Sequence, residues 1–93
     1  MKDYRWKPEK NEWLKANRNI CFEDAVFSIE NGNLIGITKN PNQERYPDQN
    51  IFILIINSYV YLVPYSIEPE YRFLHTMIPS RKYTKIYLGG KHE

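Results

Sequence analysis

Ninety-three residues make one domain and leave no room for a second core. Apolar side chains form 42% of the chain and aromatics 15%, with tyrosine used eight times. That composition excludes wholesale disorder. The net charge is only +2, but it is unevenly spread: residues 1–19 hold six Lys/Arg against three Asp/Glu, residues 20–71 two against seven, and residues 72–92 five with no acid at all. A concentrated positive segment can hold a polyanion even on a weakly charged protein.

No stretch reaches the roughly 18–20 apolar residues of a membrane span. The longest apolar run, Ile51–Ile56, has the length of a strand. Met1-Lys2-Asp3-Tyr4-Arg5-Trp6 offers no apolar segment for a signal sequence, so a cytoplasmic protein is expected. Cys21 is the single cysteine. It rules out an internal disulfide or a cysteine metal cluster and fits a reducing compartment.

In chain order, Tyr4–Lys7 reads as a short edge strand. Pro8 suits the first turn of a helix running to about Ala16, where its missing N–H needs no partner. Glu9 and Glu12 lie early in this helix and Lys15 and Arg18 late, in agreement with the helix dipole. Trp13 and Leu14 are expected to pack inward, and Asn17–Asn19 breaks the pattern. Phe22, Ala25, Val26 and Ile29 recur at i, i+3, i+4 and i+7, which predicts a second helix over Phe22–Glu30. Asn31-Gly32-Asn33 ends it, with Gly32 available for a left-handed cap.

Strands follow. Leu34–Lys39 is the first, and Asn40–Gln49 is a polar loop. Ile51–Ile56 is apolar enough to be covered on both faces. Asn57-Ser58 turns tightly into Tyr59–Tyr65. Ser66–Pro69 turns again into Glu70–Ile78, and Pro79-Ser80 interrupts that strand. Ser80 can cap a last helix over Arg81–Leu88, closed by Gly89-Gly90. The order β-α-α-β-β-β-β-α predicts an α+β fold. In it, two N-terminal helices cover one face of an antiparallel sheet of four to five strands, with a short C-terminal helix added.

One Cys and two His offer no zinc-ligand spacing, and four glycines form no phosphate loop. No metal or cofactor is expected. What remains is Arg72, His75, Arg81, Lys82, Tyr83, Lys85 and Tyr87. In a helix, Arg81 and Lys85 share one face and Tyr83 and Tyr87 another. Phosphate-binding cations beside stackable rings are what single-stranded RNA requires of a surface. Arg81 is the best cation because its planar fork grips phosphate oxygens in pairs. His75 has the ordinary pKa of an acid–base group. Structural roles compete with each of these. Alternation puts His75 on one face with Phe73 and Met77, as a satisfied half-buried histidine. Tyr83 and Tyr87 would pin the last helix, and Arg81 would pair with an acid of residues 20–71. The tyrosine-rich strand Tyr59–Tyr65 is an alternative protein interface.

The order of motifs adds a family resemblance. Tyr4-Arg5-Trp6-Lys7-Pro8-Glu9-Lys10-Asn11, followed by Leu14-Lys15, resembles the opening of BrnT-type toxins. Ile20-Cys21-Phe22-Glu23-Asp24-Ala25 is similar to their G-V-S-F-E-E-A, and Met77-Ile78-Pro79-Ser80-Arg81-Lys82-Tyr83-Thr84 to their I-I-S-A-R-K-A-T. The resemblance implies a RelE-like fold and a cytoplasmic ribonuclease toxin of a type II toxin–antitoxin pair. Such a toxin acts on mRNA and is neutralised by a small DNA-binding antitoxin; the sequence leaves a homodimer and a toxin–antitoxin heterocomplex open. The family's closing arginine falls on Arg81, with Lys82 beside it, and Arg45 resembles an arginine that precedes the central strands. Three departures stand out, the first being Ala16-Asn17 where the family's first helix has K-H. The arginine before I-I-S falls near Thr76, and the Glu-rich run after R-K-A-T is replaced by Lys85-Ile86-Tyr87-Leu88, which removes a candidate general base.

Overall fold

The computed structural model describes residues 3–89. The elements run β1 (Asp3–Arg5), α1 (Pro8–Arg18), α2 (Phe22–Glu30), β2 (Leu34–Lys39), β3 (Gln49–Ile56), β4 (Tyr59–Ile67), β5 (Tyr71–Leu74), β6 (Ile78–Pro79) and α3 (Arg81–Tyr87). Strand order in the sheet is β1-β5-β4-β3-β2, with β6 also paired to β4.

Helix α1 runs two residues beyond the expected Ala16. Asn19 closes it in the left-handed conformation at φ 55°, its N–H donating to the Leu14 carbonyl. Asn tolerates that conformation better than most residues. Trp13 does not pack inward: it is 42% exposed, with Lys10 Nζ 4.2 Å and the Arg18 guanidinium 4.9 Å from its ring. Asn11 and Leu14, three apart, form the buried stripe instead. The aromatic contact to the core comes from Trp6, stacked on Phe22 at 5.3 Å.

Helix α2 keeps its predicted bounds. Cys21 caps its first turn, where the Asp24 carboxylate accepts from the Cys21 N–H at 3.0 Å. Gly32 takes φ +81° just past its end. Ser28 joins the buried stripe, its hydroxyl donating to the Ile55 carbonyl on β3 at 3.0 Å.

Phe52, Leu54 and Ile56 of β3 and Val63 and Tyr65 of β4 form one core with Leu14, Ile20, Phe22 and Ala25 of the helical layer. Phe52 and Tyr65 stack at 3.8 Å within it. Ile51 and Ile53, pointing the other way, are also buried, as the unbroken apolar run requires. The β3–β4 hairpin turns through Asn57 and Ser58 at φ 53° and 62°. Both central residues at positive φ make a type I′ turn, whose twist matches the flanking strands.

The sheet is mixed, not antiparallel. β1 pairs with β5 in parallel, Tyr4 opposite Arg72, and only at that edge does the ladder change sense. Partners 68 residues apart leave no turn in the sequence from which to read direction. The predicted last strand, Glu70–Ile78, is also divided. Leu74 opposes Tyr65 and Ile78 opposes Leu62, so four steps on one strand face three on the other. One extra residue is accommodated around Thr76, as in a β-bulge. Pro64 of β4 accounts for the position. Its carbonyl accepts from the His75 N–H at 2.9 Å, but it has no N–H to return the bond. Pro79, expected to break the strand, instead lies within β6 at the edge of the sheet, where a missing donor is tolerated.

The bulge corrects one sequence expectation. Met77 does not share a face with Phe73 and His75. It crosses to the helical side and is fully buried in the core. Arg18 donates to its carbonyl, tying the bulge to the end of α1.

Candidate nucleic-acid interface

Helix α3 carries the densest positive charge. Ser80 caps it, its hydroxyl oxygen accepting from the Tyr83 N–H at 3.1 Å. Thr84 anchors it to the sheet, accepting from the Val60 N–H at 2.9 Å and donating to the Ser80 carbonyl at 2.7 Å. No α3 residue is buried. Tyr83 and Thr84 are half-buried, and the other side chains of the helix stay in solvent. Arg81, Lys82 and Lys85 are all exposed.

Among the described residues the ion pairs are Arg5–Asp3 and Lys15–Glu12. Arg81 therefore has no acidic partner from residues 20–71. It also stands at the positive end of α3, where a cation gains nothing from the helix dipole. Tyr83 and Tyr87 stack on one another at 6.1 Å and 26°, and Tyr87 is 47% exposed. Their rings pair along the helix and leave area on the surface. Gly90 and His92, which close the predicted basic segment, lie outside the described residues.

His75 occupies a second region. Its Nε2 lies 2.7 Å from the Ser66 hydroxyl, and its ring meets Phe73 edge-on at 5.2 Å. Burial, followed by the nearby Lys7 charge, pushes its pKa below the ordinary 6.5, with Glu68 opposing. The histidine is thus held neutral and half-buried, with a hydroxyl fixing its ring.

The sign of the resulting pH dependence follows. A histidine whose folded pKa is depressed binds fewer protons folded than unfolded. Its contribution to stability is present above 6.5 and is lost as pH falls towards the folded value. Thermal unfolding at pH 7.5 and pH 5.5 is expected to give a lower Tm at the acid pH. His75→Gln should reduce that difference. An unchanged difference in the variant would show that His75 does not titrate on unfolding.

The structure does not gather all the sequence-predicted residues. Arg72 lies across β5 from His75, on the helical side near Tyr4 and Tyr65, whose phenols feel its charge. Residue alternation separates the two faces. Arg45, from the 40–48 loop, comes closer to His75 than sequence spacing suggests. Its guanidinium lies 5.5 Å over the Tyr46 ring, and Tyr46 shares a cavity with His75, Pro64 and Ile78. Along β4, His75 pairs at Pro64 and Ser80 at Val60. Four residues at about 3.3 Å each put roughly 13 Å of strand between His75 and the start of α3.

Tyr46, Gln49 and Ser66 were not singled out from the sequence. The density of amides in Asn40–Gln49 was the available signal, but a polar loop is ordinarily just solvated. Among the described residues no three His, Cys, Asp or Glu converge as a metal site. No helix there is long and apolar enough to cross a membrane. No family model, curated protein or solved structure matches this chain.

Proposed function

We propose that this chain is the toxin component of a type II toxin–antitoxin pair: a cytoplasmic, metal-independent ribonuclease that inhibits translation on a RelE-like version of the α+β fold. One observation carries the reading. Helix α3 presents Arg81, Lys82 and Lys85 to solvent beside the stacked Tyr83–Tyr87 pair, with no ion pair to any of the three among the described residues. The resemblance of Met77–Thr84 to the BrnT closing motif adds to it.

In this mechanism Arg81 holds the phosphate with two parallel N–H donors. Tyr83 and Tyr87, paired on another face of α3, leave exposed ring surface on which a neighbouring base stacks. His75 is neutral at physiological pH and takes the 2′-hydroxyl proton, with Ser66 orienting the imidazole. Attack of that oxygen on phosphorus closes a 2′,3′-cyclic phosphate and expels the 5′-oxygen of the next nucleotide, which leaves as a hydroxyl by taking a proton from water. A small antitoxin would cover the same basic surface.

A second reading has its own support. The roughly 13 Å of β4 between His75 and α3, and the lack of any acid in residues 72–89, favour an RNA-binding module that does not cleave. Expression of the chain in a bacterial host separates the readings. Growth should arrest, and Arg81→Ala should relieve the arrest while the circular dichroism spectrum stays unchanged. Purified protein incubated with mRNA should yield discrete fragments. Salt-sensitive binding without fragments selects the non-catalytic reading, and normal growth with soluble, folded protein removes the toxin.

A further inference from the structure

We infer that Trp13, on helix α1, is a second stacking platform for the RNA strand held at α3: one unpaired base lies on its ring, and Lys10 and Arg18 hold the phosphates beside it. The inference rests on the RNA reading above and extends its surface from one helix to two.

The core does not use this ring. Tryptophan is highly buried on average, yet Trp13 is 42% exposed, and Asn11 and Leu14 form the buried stripe of α1 without it. Two cations attend the ring, Lys10 Nζ at 4.2 Å and the Arg18 guanidinium at 4.9 Å from its centroid. Neither has an ion pair among the described residues. Of the two acids on the helix, Glu12 is paired with Lys15 at 3.1 Å. The other, Glu9, lies in the first turn, where the helix dipole favours a negative charge. A flat ring between cations suits an anionic polymer that carries flat groups, which is single-stranded nucleic acid. An acidic peptide would meet the charges but give the ring no flat partner.

The two cations act differently. Lys10 is an ammonium on a flexible stem. It can leave the ring for a phosphate, and the area it covered is then open to a base. Arg18 is fixed, because its guanidinium also donates to the Met77 carbonyl. That bond ties the platform to the segment that leads into α3. Met77 is four residues from Arg81, so the chain between them spans at most about 14 Å. A small single-strand-binding fold ordinarily takes about 4–16 nucleotides, long enough to lie on both α3 and Trp13.

The test titrates the full chain with an RNA decamer of mixed sequence. Anisotropy of a fluorescein label gives the affinity, and unlabelled RNA is followed by the protein's own tryptophan emission. In Trp6→Phe, where Trp13 is the sole tryptophan, the decamer is expected to quench that emission. Trp13→Leu should bind about ten-fold more weakly with the same salt dependence. Lys10→Met should instead reduce the slope of log K against log salt by about 0.7, the share of one phosphate contact. Arg81→Ala should weaken binding in wild type and in Trp13→Leu alike. If Trp6→Phe does not fold, loss of the wild-type quench in Trp13→Leu reports the same contact. Binding with Trp13 emission unchanged, or Trp13→Leu binding within about two-fold of wild type, overturns the platform and leaves the RNA reading intact. Failure of the decamer to bind at low salt overturns both.

Discussion

Phe22→Ala is expected to lower stability by about 3–5 kcal/mol, the largest effect of any single truncation here. Phe22 is fully buried, stacked on Trp6 at 5.3 Å, and stands at the first position of α2. Its backbone N–H is also held, donating to Asn11 Oδ1 at 2.7 Å. Side chain and main chain are therefore pinned separately, and the site cannot collapse to fill the cavity left behind. A domain of this size has about 5–15 kcal/mol in total, so the variant should be partly unfolded at 37 °C. Urea denaturation followed by tryptophan fluorescence measures the loss. Phe27→Ala, on the same helix but 68% exposed, should change stability by less than about 0.5 kcal/mol. Similar losses in the two variants would mean that the helix is packed differently.

The second large effect is expected at Asn11, which is 5% exposed. Its Oδ1 accepts from the Phe22 N–H, and its Nδ2 donates to Glu23 Oε1 at 2.9 Å. One amide thus joins α1 to both the backbone and the first acidic side chain of α2. That hydrogen bond is the main reason the Glu23 carboxyl sits below its ordinary 4.5. In the wild type, Glu23 therefore contributes stability above 4.5 that is lost as pH falls through the depressed value.

Asn11→Asp keeps the acceptor for Phe22 but turns a carboxylate oxygen towards Glu23. An uncompensated buried charge costs about 3–5 kcal/mol, so a loss of about 3 kcal/mol at pH 7 is expected. Two facing carboxylates can share one proton, and acid should therefore narrow the gap between variant and wild type. Urea denaturation at pH 7 and pH 4 checks this. An equal gap at the two pH values would show that the loss comes from packing and not from charge.

Local signals carried well into the structure. The apolar stripe of α2, the cap at Ser80 and the tight turn at Asn57-Ser58 each depend on neighbours a few residues away, and each lies where the sequence puts it. Trp13 is exposed although its hydrophobicity favours inward packing. The stripe that faces the core is set by helical phase and runs through Asn11 and Leu14, leaving the ring to Lys10 and Arg18. Strand alternation held as far as His75, then lost its parity at the Thr76 bulge.

The basic C-terminal segment shows the same division. Its lack of acids is a fact of sequence, because charge belongs to the residue. Which of its members share a surface is a fact of tertiary structure. Pro64 cannot return a hydrogen bond to β5, so the edge bulges, Met77 crosses to the core and a cavity opens beside His75. The sheet then places Arg72 on the opposite face, while the 40–48 loop brings Arg45 and Tyr46 back towards that cavity. Those contacts join residues tens of positions apart, and no local pattern encodes them. The chain by itself therefore determined the chemistry on offer; the pairing of strands decided where it is presented.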